Sequence, residues 1–102
     1  MKKTTFEELN SLVLEWAKQR NLLHWENSTR QYLKFVEESG EIARGMLKQD
    51  EPAIIDGIGD TLVTLIILSN QLGFDPVNCL EMAYNEIKDR KGVTVGGTFI
   101  KE

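Results

Sequence analysis

The sequence of 102 residues has one cysteine, one histidine and two prolines. Because the lone Cys79 cannot form an internal disulfide, and no cysteine–histidine grouping is present, the sequence excludes a disulfide scaffold and a structural zinc site. This cysteine usage is typical of a reducing compartment. The N-terminus also lacks the apolar core of a signal peptide, so we expect a cytoplasmic protein. We interpret Cys79 as a core residue, since it lies in an apolar helical segment.

Positive charge is also scarce. Twelve basic against sixteen acidic residues give a net charge of -4 and a pI near 5.0, which argues against a nucleic-acid partner. An anionic ligand would need a bridging cation. The most apolar run, Thr61 to Leu68, is far shorter than the roughly 20 residues that span a bilayer, and Asp56 and Asp60 precede it. We therefore expect no membrane partner.

The length fits one domain, residues 1–102, and the apolar periodicity is helical. Thr5 with Glu8, and Ser28 with Gln31, have the spacing of capping boxes. Acid–proline pairs start two further helices, and a Gly-Gly pair marks a hairpin turn. The predicted elements are helices over Thr5–Arg20, Ser28–Leu47, Pro52–Gly73 and Asp75–Lys91 with Gly92 as the last cap, then a hairpin over Val93–Ile100. The predicted fold class is an all-α four-helix bundle with a short C-terminal hairpin tail.

The third predicted helix is apolar on nearly every side between Leu62 and Leu72. Four short helices of one chain can hardly cover such a helix, so we expect a homo-oligomer. Leu62, Leu65 and Ile66 would then be shared between the core and a subunit interface. The alternative is a monomer in which this helix is central and well covered. The sequence does not distinguish a dimer from a tetramer.

Acidic residues recur at helical spacing in two of the predicted helices. Glu37, Glu38 and Glu41 fall on one side of the second helix, and Asp56 and Asp60 lie four residues apart on the third. Taken alone, acids on a helix usually form a solvated face. The two aspartates are different, because they interrupt a strongly apolar helix, where unpaired charge is costly.

The connection between these helices is short, which predicts an antiparallel pair. Glu38 and Glu41 then approach Asp60, and we expect Gly40 and Gly59 to permit close approach of the two helices. Four or five carboxylates would converge there.

A carboxylate cluster without histidine or cysteine favours a hard, oxygen-seeking cation. Mg2+ fits this chemistry best, Mn2+ is also possible, and Zn2+ fits less well. A di-iron bundle is the competing metal interpretation. It normally uses two Glu-x-x-His elements, however, and His24 belongs to neither acid pair.

These residues resemble a known family, the MazG-like all-α nucleoside triphosphate pyrophosphohydrolases, in their short single-domain form. The resemblance runs from Gln31 to Gly92. It rests on three motifs, Lys34-x-x-Glu37-Glu38-x-Gly40-Glu41, Gly59-Asp60 at the start of an apolar helix, and the basic end Lys88-Asp89-Arg90-Lys91-Gly92. It implies that the acids bind Mg2+, that the metal holds a triphosphate, and that water attack yields a nucleoside monophosphate and pyrophosphate.

The resemblance also implies roles for individual acids. Glu38, Glu41 and Asp60 match metal ligands, and Glu37 would bind metal or orient the attacking water. Glu37 or Glu38 would help to remove the proton of that water. The sequence departs from the family at the second acid pair, which is most often Glu-x-x-Asp, because position 57 is glycine. Asp56, four residues before Asp60, is the nearest replacement ligand.

Four further residues are candidates for contacts with the nucleotide. Lys34 would neutralise phosphate charge, or form an ordinary ion pair on its helix. Asp89 and Arg90 match the segment of the family that contacts phosphate or sugar, with helix capping as the alternative. Trp25, more than Trp16, is a candidate for stacking on the base, although both are also compatible with core packing.

The predicted function is therefore Mg2+-dependent hydrolysis of a nucleoside or deoxynucleoside triphosphate to the monophosphate and pyrophosphate. Two alternatives remain open. One is a catalytically silent helical module that dimerises and binds a partner, and the other is an Mg2+–nucleotide sensor. The sequence does not indicate which base or sugar is preferred.

Overall fold

The computed structural model describes residues 3–102, so Met1 and Lys2 of the predicted domain lie outside the described residues. Helices dominate the chain, and a short hairpin follows them, which confirms the predicted all-α class. The elements are α1 (Phe6–Gln19), a one-turn 3-10 helix (Trp25–Asn27), α2 (Ser28–Leu47), α3 (Glu51–Gln71), α4 (Pro76–Ile87), β1 (Gly92–Val95) and β2 (Thr98–Lys101).

Three of the helices begin at the predicted capping residues. The Thr5 hydroxyl accepts a hydrogen bond from the Glu8 amide at 3.1 Å and so caps α1. The carboxylates of Asp50 and Asp75 accept from the amides of Ala53 and Val77, at 3.2 and 3.0 Å, at the starts of α3 and α4. Each acid satisfies an amide that lacks an intrahelical partner; Asp75 directly precedes its proline, whereas Asp50 lies two residues before Pro52.

The predicted capping box at the start of α2 is wrong. Ser28 is already the first helical residue, and the side chain of Asn27 before it makes no capping hydrogen bond within residues 3–102. Gln31 has a different role, because its amide donates to the carbonyl oxygen of Thr64 at 3.3 Å. This hydrogen bond ties the first turns of α2 to the middle of α3.

The predicted end of the fourth helix is also wrong. α4 ends at Ile87 rather than Lys91, and Gly92 is the first residue of β1 rather than a helix cap. The amide of Arg90 donates to the Ile87 carbonyl at 2.9 Å, so the chain leaves the helix in a turn. Segment 88–91 is therefore a connector between α4 and the hairpin.

The hairpin has the predicted Gly-Gly turn. Val93 pairs with Ile100 and Val95 with Thr98 in an antiparallel register. Gly96 and Gly97 have φ values of 56° and 81°, the left-handed conformation that a two-residue hairpin turn requires. Within the described chain, the two strands contact each other and no other element.

Helices α2 and α3 pack against each other along most of their length, as an antiparallel pair. Their close approach depends on Gly45 and Gly57, both buried. A Cβ atom on Gly45 would lie 3.0 Å from Ile54 Cγ1, and one on Gly57 would lie 3.0 Å from Ile42 Cγ1. The prediction for Gly40 and Gly59 is wrong, because no atom of another element in residues 3–102 lies within 4 Å of a Cβ built on either glycine.

The buried core of one chain is small. Its buried apolar residues are Ala17 of α1 and three consecutive residues of α3, Ile66, Ile67 and Leu68. Ile66 therefore belongs to the core of the single chain, whereas Leu62 and Leu65 are 46% and 40% exposed. Cys79, predicted to be a core residue, is exposed.

Among the described residues, α3 is long and apolar enough to cross a bilayer by length and composition. The core helix of a soluble protein passes the same test, so this property is weak evidence for a membrane. The expectation of no membrane partner rested on the uninterrupted run Thr61–Leu68, which is shorter than the helix that contains it. That expectation stays a prediction.

Candidate functional site

Glu38 of α2 and Asp60 of α3 line the same cavity, of about 350 Å³. Their juxtaposition follows from the register of the two helices. Gly57 packs on Ile42, and Gln31 donates to the Thr64 carbonyl, so Glu38 and Asp60 fall at the same level between these contacts. One acid from each of two neighbouring helices therefore lines this cavity, and the role of the two acids as metal ligands stays a prediction.

Lys34 lines the same cavity, one helical turn before Glu38. Its Nζ atom lies 2.8 Å from Glu37 Oε1 and 3.4 Å from Glu38 Oε1. The Glu38 side chain is 16% exposed, whereas those of Lys34 and Glu37 are 55% and 61% exposed. Lys34 thus joins an exposed carboxylate to a mostly buried one.

The ion pair of Lys34 with Glu37 shifts the pKa of both groups. The hydrogen bond and charge of Glu37 hold the pKa of Lys34 above its ordinary value, with a smaller contribution from Glu38. The hydrogen bond and charge of Lys34 lower the pKa of Glu37. Both groups are therefore charged near neutral pH, and one positive charge faces two acids.

The other predicted ligands lie apart from this cavity. Glu41 forms an ion pair with Arg44, at 3.2 Å, and Asp56 is exposed on α3. Across residues 3–102, no group of three or more acid, histidine or cysteine side chains is close enough to hold a metal ion. The predicted convergence of four or five carboxylates is thus absent from the single chain, and the ligand roles of Glu41 and Asp56 stay predictions.

The two carboxylates that line the cavity have suitable chemistry for Mg2+. This ion binds proteins through one or two carboxylates and completes its octahedral shell with water and substrate phosphate oxygens. Glu38 and Asp60 supply two hard oxygen donors beside a cavity, with Lys34 at its edge. The donor set therefore fits a magnesium ion that keeps several open coordination positions.

Apolar side chains line the same cavity. Trp16 of α1 lines it together with Leu22, Val63 and Ile67. The guanidinium of Arg20 lies 4.3 Å from the centroid of the Trp16 ring, so a cation already covers one part of this indole. The cavity thus combines acidic, basic and apolar side chains with an indole ring.

The two tryptophans differ in their position relative to this cavity, and base contact by either of them stays a prediction. Trp25 belongs to the 3-10 helix and lies outside the lining of this cavity, with 69% of its surface exposed. Trp16, which ranked second in the sequence analysis, lines the cavity that contains the acids. Helical periodicity placed Trp16 on a core-facing stripe, and it does not reveal that the stripe ends at a cavity.

Asp89 and Arg90 lie in the connector after α4. The Arg90 guanidinium pairs with Glu86 at 3.2 Å, and neither Asp89 nor Arg90 lines the cavity that contains Glu38. The single chain therefore does not bring this segment to the acids, and its contact with substrate stays a prediction.

Two lining residues escaped the sequence analysis as site candidates. Gln31 and Thr64 both line the cavity, and a hydrogen bond joins them. Gln31 was assigned to a helix cap, and Thr64 lies within an apolar run. The register of the two helices would identify both residues as site candidates. Gln31 lies about two turns before Glu38 on α2, and Thr64 lies about one turn after Asp60 on α3.

Comparison with known proteins gives two matches. The family model of the MazG nucleotide pyrophosphohydrolase domain matches residues 26–92. The chain is also 35% identical, over 71 residues, to an uncharacterized 18.2 kDa protein from the rep-hol intergenic region of Haemophilus phage HP1. That segment covers 70% of this chain and 44% of the phage protein, so the chain spans less than half of that relative. No solved structure matches the chain.

Proposed function

Because the chain belongs to the MazG nucleotide pyrophosphohydrolase domain family, we propose that it hydrolyses a nucleoside or deoxynucleoside triphosphate to the monophosphate and pyrophosphate. The observation that carries the proposal is the shared cavity of Glu38, Asp60 and Lys34 with an apolar wall at Trp16. The family is generally dependent on divalent metals, and we propose Mg2+ as the natural ion, with Mn2+ as a substitute.

The charge at the cavity supports this assignment. A triphosphate is strongly anionic, and the chain carries a net charge of -4, so binding needs cations at the acidic wall. Glu38 and Asp60 would hold Mg2+ there, and Glu41 and Asp56 are proposed as further ligands. When bound, the metal supplies Lewis-acid stabilisation of phosphate charge and lowers the pKa of bound water.

The protein residues have distinct roles in the proposed reaction. Lys34 carries a positive charge at the edge of the cavity and would bind a phosphate oxygen. Glu37, exposed and ionised beside Lys34, would orient the attacking water, and Glu37 or Glu38 would accept its proton. Trp16 would pack against the base at the apolar wall.

Three residues elsewhere in the chain are proposed as further contacts to the substrate. Asp89 and Arg90 would contact phosphate or sugar, and Trp25 is kept as a second candidate for base contact. These three residues lie outside the cavity lining in one chain.

Several properties of the whole protein belong to the same proposal. We propose a homo-oligomer, either a dimer or a tetramer, because exposed apolar side chains cover much of one chain. The acidic net charge favours neither nucleic acid nor an anionic membrane as a partner. A cytoplasmic location and a single domain over 1–102 complete the proposal.

The test is a panel of nucleoside and deoxynucleoside triphosphates with Mg2+, in which pyrophosphate and orthophosphate are measured separately. Pyrophosphate release with the matching monophosphate supports the proposal. Nucleotide binding without turnover, measured by calorimetry, would instead identify an Mg2+–nucleotide sensor. Neither binding nor turnover would favour the silent partner-binding module.

A further inference from the structure

The Glu38 side chain is mostly buried, yet its partner within the described chain is a flexible, half-exposed lysine. Only 16% of the Glu38 side chain is exposed, and Lys34 Nζ lies 3.4 Å from its Oε1 atom. A carboxylate that is largely withdrawn from water needs a positive partner, because desolvation disfavours its charge. In the chain without metal, Lys34 provides that charge.

The same ammonium lies closer to a second acid. Lys34 Nζ is 2.8 Å from Oε1 of Glu37, whose side chain is 61% exposed and lies outside the cavity lining. Lysine has four rotatable carbon–carbon bonds and a compact charge, so small torsional changes move its ammonium between neighbouring acceptors. Glu37 can thus hold Lys34 when its contact with Glu38 is lost.

A divalent cation at Glu38 would weaken the contact between the Lys34 ammonium and the Glu38 carboxylate. The metal and the ammonium carry charge of the same sign and would use the same carboxylate, so each disfavours the other. Once the metal is bound, the freed ammonium remains at the edge of the cavity, where anionic oxygens of the substrate would lie.

We propose that Lys34 is an exchangeable counter-ion, which neutralises Glu38 before metal loading and moves to the phosphates afterwards. Lys34 and the metal therefore compete for Glu38, whereas Lys34 and the phosphates attract each other. This inference rests on the proposed function in assigning a metal to Glu38. It predicts that removal of the Lys34 charge strengthens metal binding and weakens phosphate binding. A purely structural role for Lys34 does not predict these opposite effects.

The first measurement is Mn2+ binding to the full chain without nucleotide, from the electron paramagnetic resonance signal of free Mn2+. Lys34→Met should bind Mn2+ about two- to fivefold more tightly than the parent protein, the range that follows from removing one partly exposed ion-pair partner. Lys34→Arg should stay near the parent value. Lys101→Met, a control in the hairpin with the same change in net charge, should also stay near it.

The second measurement is calorimetric binding of inorganic tripolyphosphate in saturating Mg2+. Lys34→Met should bind this probe about tenfold more weakly, since it loses a charge-assisted hydrogen bond. Lys34→Arg and Lys101→Met should bind it nearly as well as the parent protein. Tighter Mn2+ binding together with weaker tripolyphosphate binding is the expected signature.

The outcomes separate this inference from the proposed function. If Mn2+ binding depends on Glu38 but Lys34→Met binds Mn2+ no more tightly, the exchange is wrong and the metal site stands. If no variant binds Mn2+, both are wrong. If the two opposite effects appear but no triphosphate is hydrolysed, the exchange stands and the proposed reaction is wrong.

Discussion

Gly57 of α3 lies directly against Ile42 of α2, so that a Cβ atom at position 57 would stand 3.0 Å from Ile42 Cγ1 and 3.3 Å from Ile42 N. This contact explains the departure from the Glu-x-x-Asp pattern that the resemblance implies. Position 57 is buried in the helix interface, where a glutamate side chain has no room beside Ile42. The close packing of α2 on α3 therefore leaves no space at position 57 for the first acid of that pair.

We expect Gly57→Ala to lower the free energy of unfolding by about 1–2 kcal/mol, because overpacking outweighs the better helix propensity of alanine. Urea denaturation at one fixed protein concentration measures this change. Gly59→Ala is the matched control two residues away, since no atom of another element in residues 3–102 lies within 4 Å of its added Cβ. It should be stabilised by up to about 1 kcal/mol. Equal effects of the two changes would contradict the close contact.

Trp16 should report nucleotide binding, because it lines the cavity that contains Glu38 and Asp60. We expect Trp16→Ala to raise the KM for the best substrate about tenfold, through the loss of stacking on the base. Trp25→Ala should change the KM less than twofold. Nucleotide should also quench the fluorescence of Trp25→Phe, in which Trp16 is the remaining tryptophan. Quenching confined to Trp16→Phe would assign the base to Trp25 instead.

The charge pair of Lys34 and Glu37 should be visible in a pH titration of the protein without metal. Lys34 holds the pKa of Glu37 below its ordinary value of 4.5, so Lys34→Met should raise that pKa toward 4.5. The side-chain carboxyl carbon of Glu37, followed by NMR, measures the change. The same pKa in both proteins would show that the ion pair is absent in solution.

The directions of the two pKa shifts determine the pH range in which the Lys34–Glu37 ion pair stabilises the fold. Glu37 has a lowered pKa when folded, so its contribution is present above the unfolded pKa and is lost as pH falls through the folded value. Lys34 has a raised pKa, so its contribution is lost only as pH rises beyond 10.5. The pair is therefore fully charged across the neutral range, and it should not by itself give the activity a pH dependence there.

The exposed stripe of α3 should form a subunit interface. Ile55, Ile58, Leu62 and Leu65 follow at helical spacing and are each 40% to 64% exposed. Leu62→Lys should shift the protein to a monomer in size-exclusion chromatography with light scattering, because it places a charge in a buried interface. Leu47→Lys, at the end of α2 where the side chain is 87% exposed, is the control and should leave the mass unchanged. A parent protein that is already monomeric would contradict this interface.

The sequence predicts the helices well because their ends carry local chemical signals. Thr5, Asp50 and Asp75 cap their helices with their own side chains, and a capping signal needs no knowledge of the tertiary fold. The end of α4 is different. No breaker precedes Gly92, and the helix stops at Ile87 where the chain turns toward the hairpin.

The candidate site was predictable in part for a similar reason. Helix spacing and a short loop suffice to place Glu38 opposite Asp60. They do not fix the rotation of each helix about its axis, which decides that Gly45 and Gly57, rather than Gly40 and Gly59, form the contact. Asp56 is exposed on α3, and Glu41 pairs with Arg44 on its own helix, a local i,i+3 contact that does not depend on this rotation.

The central claim is that Glu38 and Asp60 hold a divalent cation at which a triphosphate is cleaved. The most direct test is the rate of pyrophosphate release with Mg2+ from the best substrate of the panel, compared between the parent chain, Glu38→Gln and the control Glu81→Gln on α4. We predict release of monophosphate and pyrophosphate by the parent and the control. Glu38→Gln should be slower on the order of 100-fold, since metal stabilisation of the transition state supplies several kcal/mol. Unchanged pyrophosphate release by Glu38→Gln would contradict the account.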